Sequence, residues 1–357
     1  MNVWILSATG TYLPAIERMV RSTGVAGLIG LRPGLPEDVV SGYCDYSAWC
    51  GERGLRHVEI AGYGLGDAED RRKLEALDID VLLVLGWQRL LPAWLIAHCR
   101  GTVIGVHGSS LGITAGRGRS PLNWALMLRQ SPFVVSLFHI RPGIDDGPVI
   151  ASRTFPLSPF DDIRTAYWKM ALSVGGMLVA AFRDGRLADA QAVPQEGPAY
   201  YLPQRLPADG MIDWRRGMDD VCAFVRALTR PYPGAFTTLD GQAIRIWRAR
   251  PLMLGDAPPD WPIGTVADAT PEGSFLVRCG DGLVQVDEHD AVLAPGPGAA
   301  LGSADWRTQM TDIIDRHQRR YPDMPVSPAL LAARDHGIAD CQPTGINRSE
   351  ECGGEPR

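Results

Sequence analysis

"VWILSATGTYLPAIERMVRSTGVAGLIGL" (residues 3–31) holds a strand, a turn, a helix and a second strand in one continuous stretch. "VWILSA" is an apolar run of strand length, "TGTYLPAIERMVRSTG" turns and then repeats apolar positions at helical spacing, and "VAGLIGL" returns to a strand pattern. Further along, "DVLLVLG" (80–86), "TVIGV" (102–106) and "FVVSLFHI" (133–140) add three apolar, β-branched runs, with helical patterns such as "RRKLEALD" and "PLNWALMLRQ" between several of them. Strands apolar on both faces and alternating with helices predict an α/β domain with a mainly parallel sheet covered on both sides. The turn after the first strand, "SATGTYL", is not GxGxxG, which argues against dinucleotide binding, and no GxxxxGK[ST] phosphate loop occurs.

The helical pattern "DDIRTAYWKMALSVGGMLVAAFRDG" (161–185) closes this first unit, and the proline-dotted "AVPQEGPAYYLPQRLP" reads as a linker. Beyond it, short strand patterns separated by "DG", "EG" and "GDG" turns predict a small β-barrel or sandwich. The expected division is a first domain over 1–195, a second over 203–296, and a helical, partly disordered tail over 297–357. Within that tail, residues 302–320 form an amphipathic helix with Trp306, Met310, Ile313, Ile314 and His317 on one stripe, expected to pack on the body, while residues from about 341 on are polar and read as disordered.

Composition sets outer bounds. The chain has 357 residues, 45% hydrophobic and 21% charged, with a formal net charge of −6, and this balance argues against a nucleic-acid partner. Seven scattered cysteines show neither metal-ligand pairs nor a disulfide framework, so no metal is expected and a reducing cytoplasm fits. The opening "MNVWILSATGTYLP" lacks a basic leader and a cleavage site, and no segment is long enough to cross a bilayer.

Sites on open parallel sheets lie beyond the carboxyl ends of the strands, and His107 directly follows "TVIGV". Asp145, in "RPGIDDGPVI" after another strand run, is the second acid–base candidate, because a carboxylate can fix an imidazole's tautomer and stabilise its cation. The same "DDG" is also ordinary turn chemistry, in which Asp146 holds the bend.

"VHGSSLGITAGRGRSPLNWAL", followed by "GIDDGPVI", resembles the folate-dependent formyltransferases, whose motif is a strand ending in Asn-x-His, a Ser-Leu-rich loop, an Arg-Gly-x-x-Pro turn, a helix and a Gly-x-Asp-x-Gly loop. "DVLLVLGWQRLLP" is similar to the family segment lining the folate pocket, and "DGMIDWRRGMDDVCAFVRALTRPYPGAFTTLDGQAIRIWRA" resembles the carboxy-terminal domain of methionyl-tRNA formyltransferases. The resemblance spans roughly residues 1–295 and implies a Rossmann-like formyltransferase domain followed by an OB-like β-barrel domain. It further implies a one-carbon transferase with 10-formyltetrahydrofolate as donor and an amine as acceptor. His107 and Asp145 take the places of the family's histidine and aspartate. Gly86, Trp87, Gln88, Arg89, Leu90 and Leu91, with Asp145 and Asp146, are expected around the folate, and Ser109, Ser110, Arg117, Gly118, Arg119 and Pro121 around the acceptor.

The family asparagine does not carry over: its position is Gly105. By analogy with single oxyanion donors elsewhere, losing that amide removes about 3 kcal/mol of transition-state stabilisation. Three readings stay open. Another donor substitutes, from among protonated His107, a backbone N–H of "GSSLG", Ser109, Ser110, Gln88 and Asn123; or the site has moved to another acyl transfer or to hydrolysis; or it only binds a folate or other ligand. A magnesium site at Asp145, Asp146, Asp161 and Asp162 has no supporting spacing. Residues 203–300 carry 9 arginines, no lysine and 13 acidic residues, a net charge of −4, where a tRNA-holding domain should be basic. The expected acceptor is therefore a small molecule, an amino sugar, an amino acid or a specialised-metabolite amine, in preference to methionyl-tRNA.

Overall fold

The structure, a computed structural model, describes residues 1–34, 40–188, 192–253 and 261–336. The tail expected to be disordered, from about residue 341, lies outside the described residues.

The first unit runs β1 (Val3–Leu6), α1 (Leu13–Thr23), β2 (Gly27–Leu31), α2 (Ser47–Glu52), β3 (Arg56–Ile60), α3 (Ala68–Glu75), β4 (Val81–Val84), α4 (Ala93–His98) and β5 (Thr102–Ser109). It continues through α5 (Gly112–Ala115), β6 (Arg117–Gly118), α6 (Pro121–Met127), β7 (Phe133–His139), β8 (Val149–Phe155) and α7 (Ile163–Arg183). Seven of these strands make one sheet in the order β3-β2-β1-β4-β5-β7-β8. Neighbours from β3 to β5 are parallel, whereas β7 runs antiparallel to both β5 and β8. The mainly parallel Rossmann-like sheet expected from the sequence is thus present, with an antiparallel hairpin added at one edge. A short loop joins β7 to β8, and only an antiparallel pair can be closed that way.

The unbroken apolar character of β1 follows from its position. Val3 and Ile5 point into one core and Trp4 and Leu6 into the other, each at most 2% exposed, because successive strand side chains face opposite sides. α7 begins at a capping box in which Asp162 accepts from Thr165 N–H (2.8 Å) and the Thr165 hydroxyl accepts from Asp162 N–H (2.9 Å).

After the strand β9 (Tyr201–Leu202), the second unit contains α8 (Met218–Leu228), β10 (Ala235–Leu239), β11 (Gln242–Leu252), β12 (Val266–Ala269), β13 (Phe275–Arg278), β14 (Leu283–His289), α9 (Trp306–Arg320) and α10 (Pro328–His336). β10 to β14, without β9, form a five-stranded antiparallel sheet ordered β10-β11-β14-β13-β12. Register shifts between Ile246 and Ala249 of β11 curl it into a half-barrel whose edge strands β10 and β12 do not pair with each other. One apolar core continues across both units, joining Trp124 of α6 to Trp214 and to Phe224 of α8.

The stripe expected on residues 302–320 is the buried face of α9, and Trp306 donates from Nε1 to Ala333 O (3.0 Å) in α10, a helix that the sequence pattern did not single out. The stretch expected to be a linker is instead a strap on the first unit. Val193 and Val149 exchange two backbone hydrogen bonds of 2.8 Å, and β9 pairs in parallel with β6. Its proline-rich composition describes an irregular backbone, not a loose one.

Candidate active site

β5 is longer than its apolar run. β7 holds it in register as far as Ser109↔Val134, so His107 sits inside the strand, opposite Ser136, and is buried. Its Nδ1 lies 3.2 Å from Asp145 Oδ2, and its Nε2 lies 2.7 Å from Gly116 O. A carboxylate and a carbonyl are both acceptors, so both contacts are hydrogen bonds when both ring nitrogens carry hydrogen, and a neutral ring makes one at a time. The site therefore accommodates an imidazolium. Asp145 stands in the loop between β7 and β8 with φ +49°, a left-handed conformation that aspartate tolerates better than most residues. Its Oδ2 also accepts from Gly118 N–H (3.3 Å), which links the carboxylate to the Arg-Gly-x-x-Pro turn. Gly118 has φ +100°, and a Cβ there would lie 2.7 Å from Leu202 O, so the turn requires glycine on both grounds. Pro121 opens α6 just beyond it.

The loop after β4 faces this turn. Gln88 accepts at its carbonyl from Arg119 Nη1 (2.9 Å) and donates its N–H to the Tyr63 hydroxyl (2.9 Å). Burial pushes the Tyr63 phenol above its ordinary range, which keeps it neutral. Trp87 is 8% exposed and packs edge-on against Tyr63, with ring centroids 4.8 Å apart. Gly86 is half-buried, Leu91 buried, and Gln88, Arg89 and Leu90 exposed.

The remaining expected residues are placed less centrally. Ser109 Oγ accepts from Leu111 N–H (3.0 Å) and so holds its own loop, while Ser110 donates to Gln130 Oε1 (2.5 Å) and ties that loop to the segment between α6 and β7. Asn123 is buried and donates from Nδ2 to Ala227 O (2.6 Å), a bond that ties α6 to α8. The Asp146 carboxylate folds over Gly143 in its own bend. Among the described residues, no group of three or more His, Cys, Asp or Glu is arranged to hold a metal ion, and no helix is long and apolar enough to cross a membrane.

Gly105 pairs with Phe138 across the β5–β7 ladder, and a Cβ built on it would lie 2.9 Å from Phe138 Cε1 and Cζ and from Ile140 Cγ1. Hydrocarbon fills the place of the asparagine side chain. No sequence signal reveals this, because it depends on the register of β7. Gln195 carries no sequence signal either. Its amide reaches Asp145 O, Gly147 O, Arg117 and Thr114 from the stretch expected to be a linker.

Comparison with known proteins bears on the chemistry of this arrangement. The pattern of the family described as "Formyl transferase" matches residues 52–181, and that of "Formyl transferase, C-terminal domain" matches residues 206–291. The methionyl-tRNA formyltransferase of Gluconacetobacter diazotrophicus is 33% identical over 243 residues, which cover 68% of this chain and 74% of the relative. The methionyl-tRNA formyltransferase of Burkholderia vietnamiensis is 32% identical over 227 residues, covering 62% of this chain and 66% of the relative, just under two thirds of its length. Among solved structures, the N-formyltransferase from Helicobacter canadensis in complex with folinic acid and dTDP-3-aminofucose superimposes with a TM-score of 0.55 at 13% identity, over 81% of this chain and 99% of that one.

Proposed function

The chain belongs to the formyl transferase family of enzymes, and from that membership we propose that it carries a formyl group from 10-formyltetrahydrofolate to the amine of a small-molecule acceptor, with His107 and Asp145 managing the proton. The observation that carries the reading is the 3.2 Å approach of a buried imidazole to a carboxylate presented by a separate loop. Bound folate supplies an activated formyl group on nitrogen.

A buried donor on each side supports a fit to ligands. Trp87 Nε1, in the loop after β4, and Arg117 Nε, in the turn before α6, have no hydrogen-bond partner among the described residues. Buried donors without partners are costly, and in this reading acceptor atoms of the folate ring satisfy Trp87 while those of the acceptor molecule satisfy Arg117. In this reading, Gly86 to Leu91 with Asp145 and Asp146 hold the folate, while Ser109, Ser110 and the turn through Arg117, Gly118, Arg119 and Pro121 admit the acceptor. The exposed Arg119 offers its guanidinium to an anionic group there.

As the amine nitrogen bonds to the formyl carbon and the carbon's bond to the folate nitrogen breaks, the proton shed by the amine is taken by His107 Nε2 and passed to that departing nitrogen. Asp145 holds Nδ1–H and stabilises the imidazolium in between. Gly116 O now faces Nε2, so the acceptor amine enters by displacing that carbonyl. With Phe138 and Ile140 beside Gly105, no side-chain amide stands at that position, and this reading assigns the developing oxyanion to the imidazolium that His107 becomes once it holds the amine proton.

The choice of a small acceptor rests on the net charge of −4 over residues 203–300. The 33% identity to the methionyl-tRNA formyltransferase of Gluconacetobacter diazotrophicus favours the second reading, in which the acceptor is methionyl-tRNA. Competition assays with purified protein separate the two. Faster formylation of an amino sugar nucleotide or an amino acid than of methionyl-tRNA supports the first, and the reverse order overturns it.

A further inference from the structure

We propose that Gln195 is a positioning residue of the transfer site, one that fixes the loop presenting Asp145 to His107 and ties it to the Arg117 turn; the proposal rests on the functional reading above. The Gln195 side chain makes four hydrogen bonds to three separate segments. Nε2 donates to Asp145 O (2.7 Å) and Gly147 O (2.8 Å). Oε1 accepts from Arg117 Nη2 (2.8 Å) and from the Thr114 hydroxyl (3.2 Å). A primary amide has two donor hydrogens and two acceptor lone pairs, and here every one is used.

Both ends of the bridge need holding. Asp145 occupies a left-handed backbone conformation, which costs of order 1 kcal/mol or more and persists only where surrounding contacts enforce it. Donation to Asp145 O pins the peptide that aims its carboxylate at His107 Nδ1. Arg117 begins the turn whose next residue, Gly118, donates to the same carboxylate. Gln195 thus closes a ring from the carboxylate through Gly118, Arg117 and the amide back to the backbone of Asp145.

The amide is itself anchored. Two residues before it, Val193 is paired with Val149 of β8. Beyond it, Tyr200 donates to Thr114 O (3.1 Å), Tyr201 donates to Pro325 O (2.9 Å), and β9 lies on β6. A backbone fastened on both sides holds the side chain over the gap with little freedom left to lose. Loss of the bridge leaves two carbonyls without their donor and lets the Asp145 loop relax. A misplacement of about 1 Å at a reacting centre can cost a hundredfold in rate.

Two readouts test this. In the ligand-free protein with labelled histidine, the His107 ring-nitrogen signals are identified by their loss in His107→Ala, and Asp145→Asn defines their position without the carboxylate. Gln195→Ala is expected to move those signals toward the Asp145→Asn position. In the transfer assay it is expected to lower kcat between about ten- and a hundredfold, with KM for the folate changed less than about threefold. Should the alanine variant fold poorly, Gln195→Glu keeps an acceptor for Arg117 but cannot donate to the two carbonyls, and the same displacement is expected. His107 signals that stay at their wild-type positions in a folded Gln195 variant overturn the proposal, whether or not formyl transfer is observed. Absence of transfer in the wild type overturns the functional reading, while the displacement of the His107 signals still decides the role of Gln195.

Discussion

Phe138 lies directly across the sheet from Gly105, and its ring, with Ile140, occupies the space that a side chain at position 105 would need. Restoring the family's asparagine alone should therefore not restore its role. Gly105→Asn is expected to lower stability by about 1–3 kcal/mol, the usual cost of overpacking, and to leave formyl transfer no faster. Combining it with Phe138→Ala should cost less than the two single changes together, because the second opens room for the first. Urea unfolding of the four proteins measures this coupling, and strictly additive costs would show that the two sites do not compete for space.

His107 and Asp145 act as a unit in this account, so their removal should be strongly non-additive. Asp145→Asn and His107→Ala are each expected to lower kcat by about 10²–10⁴-fold with the fold intact, and the double variant should be little worse than His107→Ala. Steady-state kinetics on the three variants decides; losses that multiply would mean the two groups work independently.

Gly118→Ala places a methyl group against Leu202 O in a left-handed backbone conformation. The expected loss is about 1–3 kcal/mol of stability, accompanied by weaker turnover, because the strap and the N–H that meets Asp145 share this residue. A variant with wild-type stability and turnover would remove the turn from the account.

A pH dependence is expected at the start of α9. Asp305 accepts from Thr308 N–H (2.8 Å) and pairs with Arg215, and these contacts, the backbone one foremost, lower its carboxyl to about 2. The folded value lies below the unfolded one of about 3.9, so the stabilisation is complete above pH 4 and is lost as the pH falls through about 2. Asp305→Ala should destabilise by about 1 kcal/mol near neutrality, with the difference from wild type shrinking below pH 4. Denaturation curves across this range check the sign; a gap that widens with acid would contradict it.

The parallel half of the sheet was legible because buried parallel strands are apolar on both faces, as Val3 to Leu6 are. The stripe of α9 was legible for the same reason at helical spacing. His107 and Asp145 stood out by residue type beside strand runs, although apolar patterning ended β5 at Val106 and could not see that β7 carries the strand on to Ser109. Gln195 and Phe138 were not legible. Gln195 works through hydrogen bonds from an irregular, proline-dotted strap, which has no periodicity to read, and Phe138 reads as one more apolar strand residue until the β5–β7 register sets it against Gly105.

The most direct measurement follows the formyl group of 10-formyltetrahydrofolate, with and without amine acceptors, in the wild type and in His107→Ala. Loss of the formyl group that depends on an amine, yields a formylated amine, and disappears in His107→Ala is the predicted result. Undiminished transfer in His107→Ala, or release of formate with no acceptor present, would contradict the account.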